Sequence, residues 1–563
     1  MRIFYGLVPL CLAATVFAQT PPSDQPPSTP APDAAPAPST PAPEAAPAAP
    51  AAPAAPAAPV VAPAPATPAW DQAVPKTPNY VPQAAQTAPM MPLAGYANGS
   101  FFLRDPHDWF VLFPKGRLQV DWYNFLNRGD VPAGVVPNSS ADPRPKDTVF
   151  VRRARIELQG TFIGHFDFHI AGEFTTTPST GSLGGLADAY IIADYFSFLK
   201  LQVGQFDAPF SLENRTSDKY LDFMERGATV RYLGVPFNKD MGAFAWGWLP
   251  KQVAYYSIGV VNGDGQNFKN QDNWGTVLGR GVVYPLAWMP QADKWHWLKD
   301  VEVGASFWWQ HEANLGGSIG GATSGTQNDL TGMSTTGGFS FFGTNYSVAN
   351  DAAGNAIREH LVPSGSQVKW GVETRIPVWK IGFQGELIHV NEDLFSYYDS
   401  VNVPNAMTGK WSGSAFSRSA PKVGGNLEGY GGYAELFGWI LGDVNFLETP
   451  GLEPMPHIKK FAPAKEPMWG LRVLARYEQV TFNVRGLPGA VDPMTGTTTL
   501  DKGVGLYKLH TFGLGLDGWG TKHVRVSANY FLNYIDGDSV NVKANYFYKR
   551  AEHELLFRVG INL

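Results

Sequence analysis

The sequence predicts an all-β chain, a transmembrane antiparallel β-barrel of about 16 strands preceded by a disordered Pro/Ala-rich segment, and three observations predict it. Charged residues make up only 16% and aromatic residues 13% of the 563, with 60 glycines. A soluble enzyme carries about 25% charged residues. No apolar run of about 20 residues, the length a membrane helix needs, follows the N-terminus. Instead, segments of about ten residues alternate strictly between apolar and polar positions, the period of a strand with one face in lipid.

In chain order, residues 1–18 read as a signal peptide: Arg2 supplies the positive n-region, Ile3 to Phe17 the apolar core, and Ala18 the small residue before a cut at Gln19. The single cysteine, Cys11, lies inside that segment. The processed chain would then have no thiol for catalysis or metal binding. The formal net charge of −6 gives no basic excess, so nucleic acid is not an expected partner. Residues 19–91, with runs such as PAPEAAPAAPAAP, have almost nothing to bury and are expected to be a disordered periplasmic linker. Two readings stay open for it, a leader without a role and a tether that contacts the cell wall.

Residues 92–563 are expected to form the barrel. In Gln367–Ile376, Val368, Trp370, Val372, Thr374 and Ile376 share one face, and Gln367, Lys369, Gly371, Glu373 and Arg375 the other. His165–Phe174 and Trp469–Glu478 repeat the pattern, and at the end Leu555, Phe557, Val559, Ile561 and Leu563 oppose Glu554, Leu556, Arg558, Gly560 and Asn562. A soluble sandwich would also alternate. The strand number and the placing of Trp246, Trp248, Trp308, Trp379 and Trp439 near strand ends, read as an interface girdle, favour the membrane. About 470 residues at about 30 per strand and loop give about 16 strands, a size that leaves an aqueous channel. Glu312–Ser366 and Asn391–Glu428, rich in Gly, Ser, Asn and Thr, are expected as long extracellular loops, with short turns at the periplasmic end.

One stretch carries more than a pattern. FVRRARIELQG (150–160), LADAYIIADY (186–195), LKLQVGQFDAPFSLEN (199–214), DFMERG (222–227) and YSIGVVNGDGQN (256–267) follow in an order and spacing that resemble the phosphate-selective porin O and P family. The resemblance implies a 16-stranded outer-membrane barrel, usually a homotrimer in outer-membrane lipid, with loops folded into the pore. It also implies passive diffusion of small hydrophilic solutes or anions such as phosphate, and no cofactor. The alternative is a structural or adhesive envelope barrel tethered through the Pro/Ala segment.

Such a channel needs a polar wall, a constriction and a field. Alternation turns Arg153, Arg155, Glu157, Lys369, Glu373, Arg375, Arg472, Arg476 and Arg558 toward the lumen. An arginine on the lipid face would cost about 2–4 kcal/mol at mid-bilayer. Arg153, Arg155, Arg472, Arg476 and Arg558 are expected to form a basic strip for anions, or each arginine pairs with a carboxylate such as Glu157, Glu478 or Glu554 and stiffens the wall. The segment Phe210–Arg231 gathers Arg215, Asp218, Lys219, Asp222, Glu225 and Arg226 among apolar residues. It is expected as a loop whose Arg215, Lys219 and Arg226 constrict the pore, or as one that packs on its own barrel or a neighbouring subunit. No catalytic or metal site is expected. Gly316-Gly317-Ser318-Ile319-Gly320 matches G-x-S-x-G without the strand and helix a nucleophile elbow needs, and His165 with His169 is too sparse for a metal.

Overall fold

The computed structural model describes residues 93–97, 100–126, 144–175, 185–235, 238–267, 269–270, 275–311, 333–338, 340–342, 345–350, 356–398, 401–404, 411–415, 423–442, 469–485, 505–521, 523–537 and 551–563. The signal peptide and the linker lie outside the described residues, as does the Gly316–Gly320 motif.

The alternating segments form a closed antiparallel barrel of 16 strands. In chain order they are β1 Phe110–Phe125, β2 Thr148–Phe162, β3 Phe166–Glu173, β4 Leu186–Phe196, β5 Leu199–Asp207, β6 Lys239–Trp248, β7 Ala254–Val261 and β8 Thr276–Val283. The second half comprises β9 Glu302–Gln310, β10 Ala356–Val378, β11 Ile381–Tyr398, β12 Val423–Leu441, β13 Gly470–Arg485, β14 Gly505–Thr521, β15 Val524–Gly537 and β16 Ala551–Asn562. Each pairs with its sequence neighbour, and β16 closes on β1 from Glu554↔Phe125 to Asn562↔Arg117. Closure leaves no unpaired edge, as a sheet in hydrocarbon requires. A hairpin of Ala94–Ala97 and Ser100–Arg104 extends the ring at the foot of β1 through Leu103↔Leu112.

The alternation settles which face is which. Ile156 is 60% exposed on the outer face, whereas Arg153 and Glu157, inside, are 6% and 2% exposed. Arg472, Arg476, Glu478, Glu554 and Arg558 are likewise buried within the ring, while Val473, Tyr477 and Val559 face out. Tight turns join strands at one end: Ile163-Gly164 takes positive φ between β2 and β3, and Trp379 does so between β10 and β11.

Four expectations need correction. Of the five girdle tryptophans, only Trp379 is largely exposed; Trp308 and Trp439 are buried inside the ring, and Trp246 and Trp248 pack toward Tyr255. Their faces satisfy interior cations, with Lys369 Nζ 5.4 Å from the Trp308 ring centroid, Lys200 Nζ 4.9 Å from Trp246 and the Arg472 guanidinium 5.2 Å from Trp439. The long loops are shorter than their polarity suggested. The β10–β11 ladder runs from Val378↔Ile381 up to Glu359↔Tyr398, because a backbone ladder needs no apolar face once it leaves the bilayer. The turn end is not uniformly short either: 284–301 folds there as two 3-10 turns, Pro290–Asp293 and His296–Asp300, with Ala292, Leu298 and Val301 buried. Finally, the inner wall is not wholly polar. Ile388, Val390, Leu427, Val480 and Phe482 point inward, and what they meet is the subject of the next section.

Candidate pore constriction

The chain between β5 and β6 folds inside the ring. It forms two short helices, α1 Leu212–Arg215 and α2 Ala228–Leu233, joined by a charged turn. Ser211 caps α1, its hydroxyl accepting from the Asn214 N–H at 3.3 Å. Two kinds of surface meet the wall. On α2, Val230 and Leu233, with Val235 beyond, pack on the inward apolar side chains Ile388, Val390, Leu427, Val480 and Phe482. This explains apolar side chains inside a channel wall, since the loop and the wall bury each other. At Gly227 the backbone presses so close to β13 that an added Cβ would stand 2.5 Å from Glu478 Oε1.

The turn from Asp218 to Arg226 meets the opposite side by charge. Glu225 receives Arg152 through Nε and Nη2, both at 2.9 Å, Arg153 at 3.3 Å and Arg558 at 2.5 Å. Asp218 sits among four guanidiniums: Arg226 at 2.6 Å, Arg153 at 3.0 Å, Arg117 at 3.6 Å and Arg155 at 3.9 Å. Asp222 holds Arg472 at 2.5 Å, and Lys219 reaches Glu157 at 3.3 Å. Burial opposes ionisation of both Asp218 and Glu225. The arginines outweigh it, with Arg153 and Arg226 foremost at Asp218 and Arg152, Arg153 and Arg558 at Glu225. Both carboxyls are held well below the ordinary carboxylate range.

The loop is also held by its backbone. Leu212 and Glu213 donate their N–H groups to Glu386 at 3.0 and 2.8 Å, Thr229 donates to Glu478 at 2.6 Å, and Met224 to Asn529 at 2.9 Å. Arg525 donates to the carbonyls of Leu221 and Asp222, both at 2.7 Å, and Lys369 to that of Gly234 at 2.6 Å. A second inward segment, Met333–Gly338, rests on α2: Tyr232 donates to the Ser334 carbonyl at 2.6 Å, and Thr335 and Gly337 donate to Glu554.

Every lumen candidate named from the sequence is therefore on the inner face, and the structure brings most of them to this loop. Arg153, Arg155, Glu157, Arg472, Arg476, Arg558 and Lys369 touch loop 208–235, with Arg476 pairing with Glu213 at 2.6 Å and Glu435 at 2.6 Å. Glu373 is instead held by Arg280 at 2.6 Å, and Arg375 lies over Phe437. Of the loop cations, Lys219 and Arg226 make ion pairs in the lumen, whereas Arg215 turns back to the Asp207 carbonyl at the loop's root. The arginines are paired, but through loop and cross-strand acids (Asp222, Glu213, Asp121, Glu225) rather than through Glu478 or Glu554.

Arg152 was missed for a definite reason. Strict alternation sends it to the lipid side, but the β1–β2 register steps from Gln119↔Arg153 to Val120↔Val151, leaving Arg152 as an extra residue. That bulge lets two successive arginines reach one carboxylate. Arg117 and Arg525, also missed, sit in strands whose alternation could have placed them.

Charge is divided around the ring. Near β1 and β2, Lys115, Arg117, Arg152, Arg153, Arg155, Lys219 and Arg226 outnumber Asp121, Glu157, Glu173, Asp218 and Glu225. Eight strands away, β9 to β12 carry the buried acids Glu302, Glu373, Glu386, Glu392 and Glu435 against the cations Lys369 and Arg375. A solute passing the loop crosses a field directed from one wall to the other.

Residues 134–357, covering β2 to β9 and both inward segments, match the family model described as phosphate-selective porin O and P. Porin O of Pseudomonas aeruginosa is 28% identical over 173 residues, which cover 30% of this chain and 37% of that protein. The chain thus aligns with little over a third of that relative's length. Among solved structures, the trimer form of OmpT from Vibrio cholerae is 11% identical with a TM-score of 0.42, covering 81% of this chain and 100% of that one. The channel DcaP of Acinetobacter baumannii is 9% identical (TM-score 0.42; 81% and 97% covered), and an anion-selective porin from Comamonas acidovorans is 7% identical (TM-score 0.41; 81% and 100% covered). The barrel's closure is read from its own register rather than from these likenesses. The closed ring with its apolar outer face and the porin-family segment place the protein in the outer membrane.

Proposed function

We propose that this chain is an outer-membrane porin, a water-filled channel through which small hydrophilic solutes and ions diffuse passively, biased toward anions such as phosphate. The observation that carries it is a closed wall, apolar outside and charged inside, narrowed by a loop held between a basic and an acidic arc. The family match and the guanidinium excess beside β2 support the anion bias. In the same reading residues 1–18 are removed on export, residues 19–91 form a periplasmic linker, and the barrel assembles as a homotrimer, as the family resemblance implies.

The test is single-channel recording in planar bilayers with the reversal potential measured in a KCl gradient. Stepwise conductance, an anion-favouring potential and block by millimolar phosphate are expected. Arg155→Gln should move the reversal potential toward the cation side without abolishing conductance, because it removes a wall cation whose partners, Glu173 and Asp218, are 3.2 and 3.9 Å away. A cation-favouring wild type removes the anion bias and leaves the channel; no conductance removes the porin reading.

A further inference from the structure

The outer face carries a feature the pore does not use. Where β10 to β13 approach the turn end, a cleft of about 610 Å³ opens outward between Ile376, Ile381, Phe383, Leu436 and Val473. Its floor is Gly438, whose cross-strand partners are Ile381 and Val473. An added Cβ at Gly438 would meet only Val473 Cγ2 at 3.6 Å and Ile381 Cγ2 at 3.9 Å, so the missing side chain is what opens the cleft. The lining is almost wholly apolar, and Ile381 and Leu436 are 64% and 61% exposed. At the cleft's lower end the β10–β11 turn presents a cation, Lys380, with Nζ 5.4 Å from the ring of Trp379. Trp379 and Trp469 are both strongly exposed there, at the depth where indole rings mark the headgroup layer.

We propose that this cleft is a site for one phospholipid of the periplasm-facing leaflet, with an acyl chain lying along Gly438 and the headgroup phosphate at Lys380. Charge complementarity selects this occupant. An acyl chain fills an apolar cleft whose lining residues Val378 and Ile381 flank the half-buried Lys380, and the phosphate it carries meets that cation. A second barrel packed against the cleft would leave the Lys380 ammonium facing apolar wall. The volume is within the range of sites that hold ligands of this size, about 300–1,000 Å³. The proposal rests on the outer-membrane reading of the barrel and is independent of which solute passes through it.

The experiment is native mass spectrometry of the full-length protein in mild detergent with added dioleoyl phosphatidylglycerol, run beside bilayer conductance on the same preparations. Wild type should retain one phospholipid per chain beyond the detergent background. Gly438→Leu should lose it with conductance unchanged, since the new side chain fills the cleft from outside. Lys380→Gln, on the two-residue β10–β11 turn, should retain the lipid about fivefold more weakly, the factor set by roughly 1 kcal/mol per surface cation. It keeps the test decisive if Gly438→Leu does not fold. Equal retention by wild type and a folded Gly438→Leu, or by wild type and Lys380→Gln, overturns the proposal. So does a lipid-free wild-type oligomer that Gly438→Leu dissociates, which would make the cleft a contact between copies. Loss of conductance in wild type would overturn the porin reading and leave the lipid result to be judged by itself.

Discussion

The basic arc of β13 to β2 and the acidic arc of β9 to β12 grip the same loop by different means. The basic arc takes mainly side-chain carboxylates, Glu225 and Asp218 each being shared among several arginines, with Arg525 and Glu478 adding contacts to loop backbone. The acidic arc takes backbone, as Glu386 accepts from two successive N–H groups at the start of α1 and from the Tyr433 hydroxyl at 2.7 Å. One loop thus satisfies both signs, offering acids to the arginines and amide dipoles to the glutamates. The difference matters because an unpaired buried charge costs more than an unpaired amide.

Breaking the basic grip should have the largest effect. Glu225→Gln leaves Arg152, Arg153 and Arg558 without their shared acid. Arg153 keeps Asp218 and Arg558 keeps Asp121, so the loss falls mainly on Arg152 and lies toward the lower end of the about 3–5 kcal/mol of a broken buried pair. The seated loop should give way, read as a rise in single-channel conductance with flicker and as protease cleavage within 208–235. Breaking the acidic grip should cost less. Glu386→Ala strands two N–H groups and one hydroxyl, about 1–3 kcal/mol on the usual scale for a lost buried partner. Occasional opening without a new steady conductance level is expected. If Glu386→Ala proves the more disruptive, the comparison is inverted.

Acid sharpens the contrast further and is the smallest effect over the ordinary range. The Asp218 and Glu225 carboxyls have folded pKa values well below their unfolded ones, so protonation disfavours the seated loop. Their contribution is complete above the unfolded values, about 3.9 for Asp and 4.3 for Glu, and is lost only as pH falls through the lowered folded values. The part of the conductance that depends on these carboxylates, read as the difference between wild type and Glu225→Gln, should change only as pH falls below those unfolded values. An acid response that is the same in wild type and Glu225→Gln would mean that these carboxylates do not hold the loop.

Much of this was legible in the sequence. Closure, strand number and the lumen-facing set follow from a period of two and the cost of arginine in lipid, and Arg472, Arg476 and Arg558 fell where alternation put them. The charges of Phe210–Arg231 marked a loop with work inside the pore. What stayed hidden depends on contacts between distant segments. Trp308 looks like an interface residue until Lys369 is seen above it, and Arg152 looks lipid-facing until the bulge is counted. The inward aliphatics Ile388 and Val390 read as errors of alternation until α2 is set against them. Period two describes a strand in isolation; it does not say what occupies the space the strands enclose.

The loop's anchors also set an order of events. Met224 and Glu225 are held by Arg558, and Met224 by Asn529, more than 300 positions further along the chain. Those partners exist only after β15 and β16 are in place and β16 has joined β1. Contacts of such separation form late. The loop therefore cannot complete its seat before the ring has closed, and its seating reports that closure.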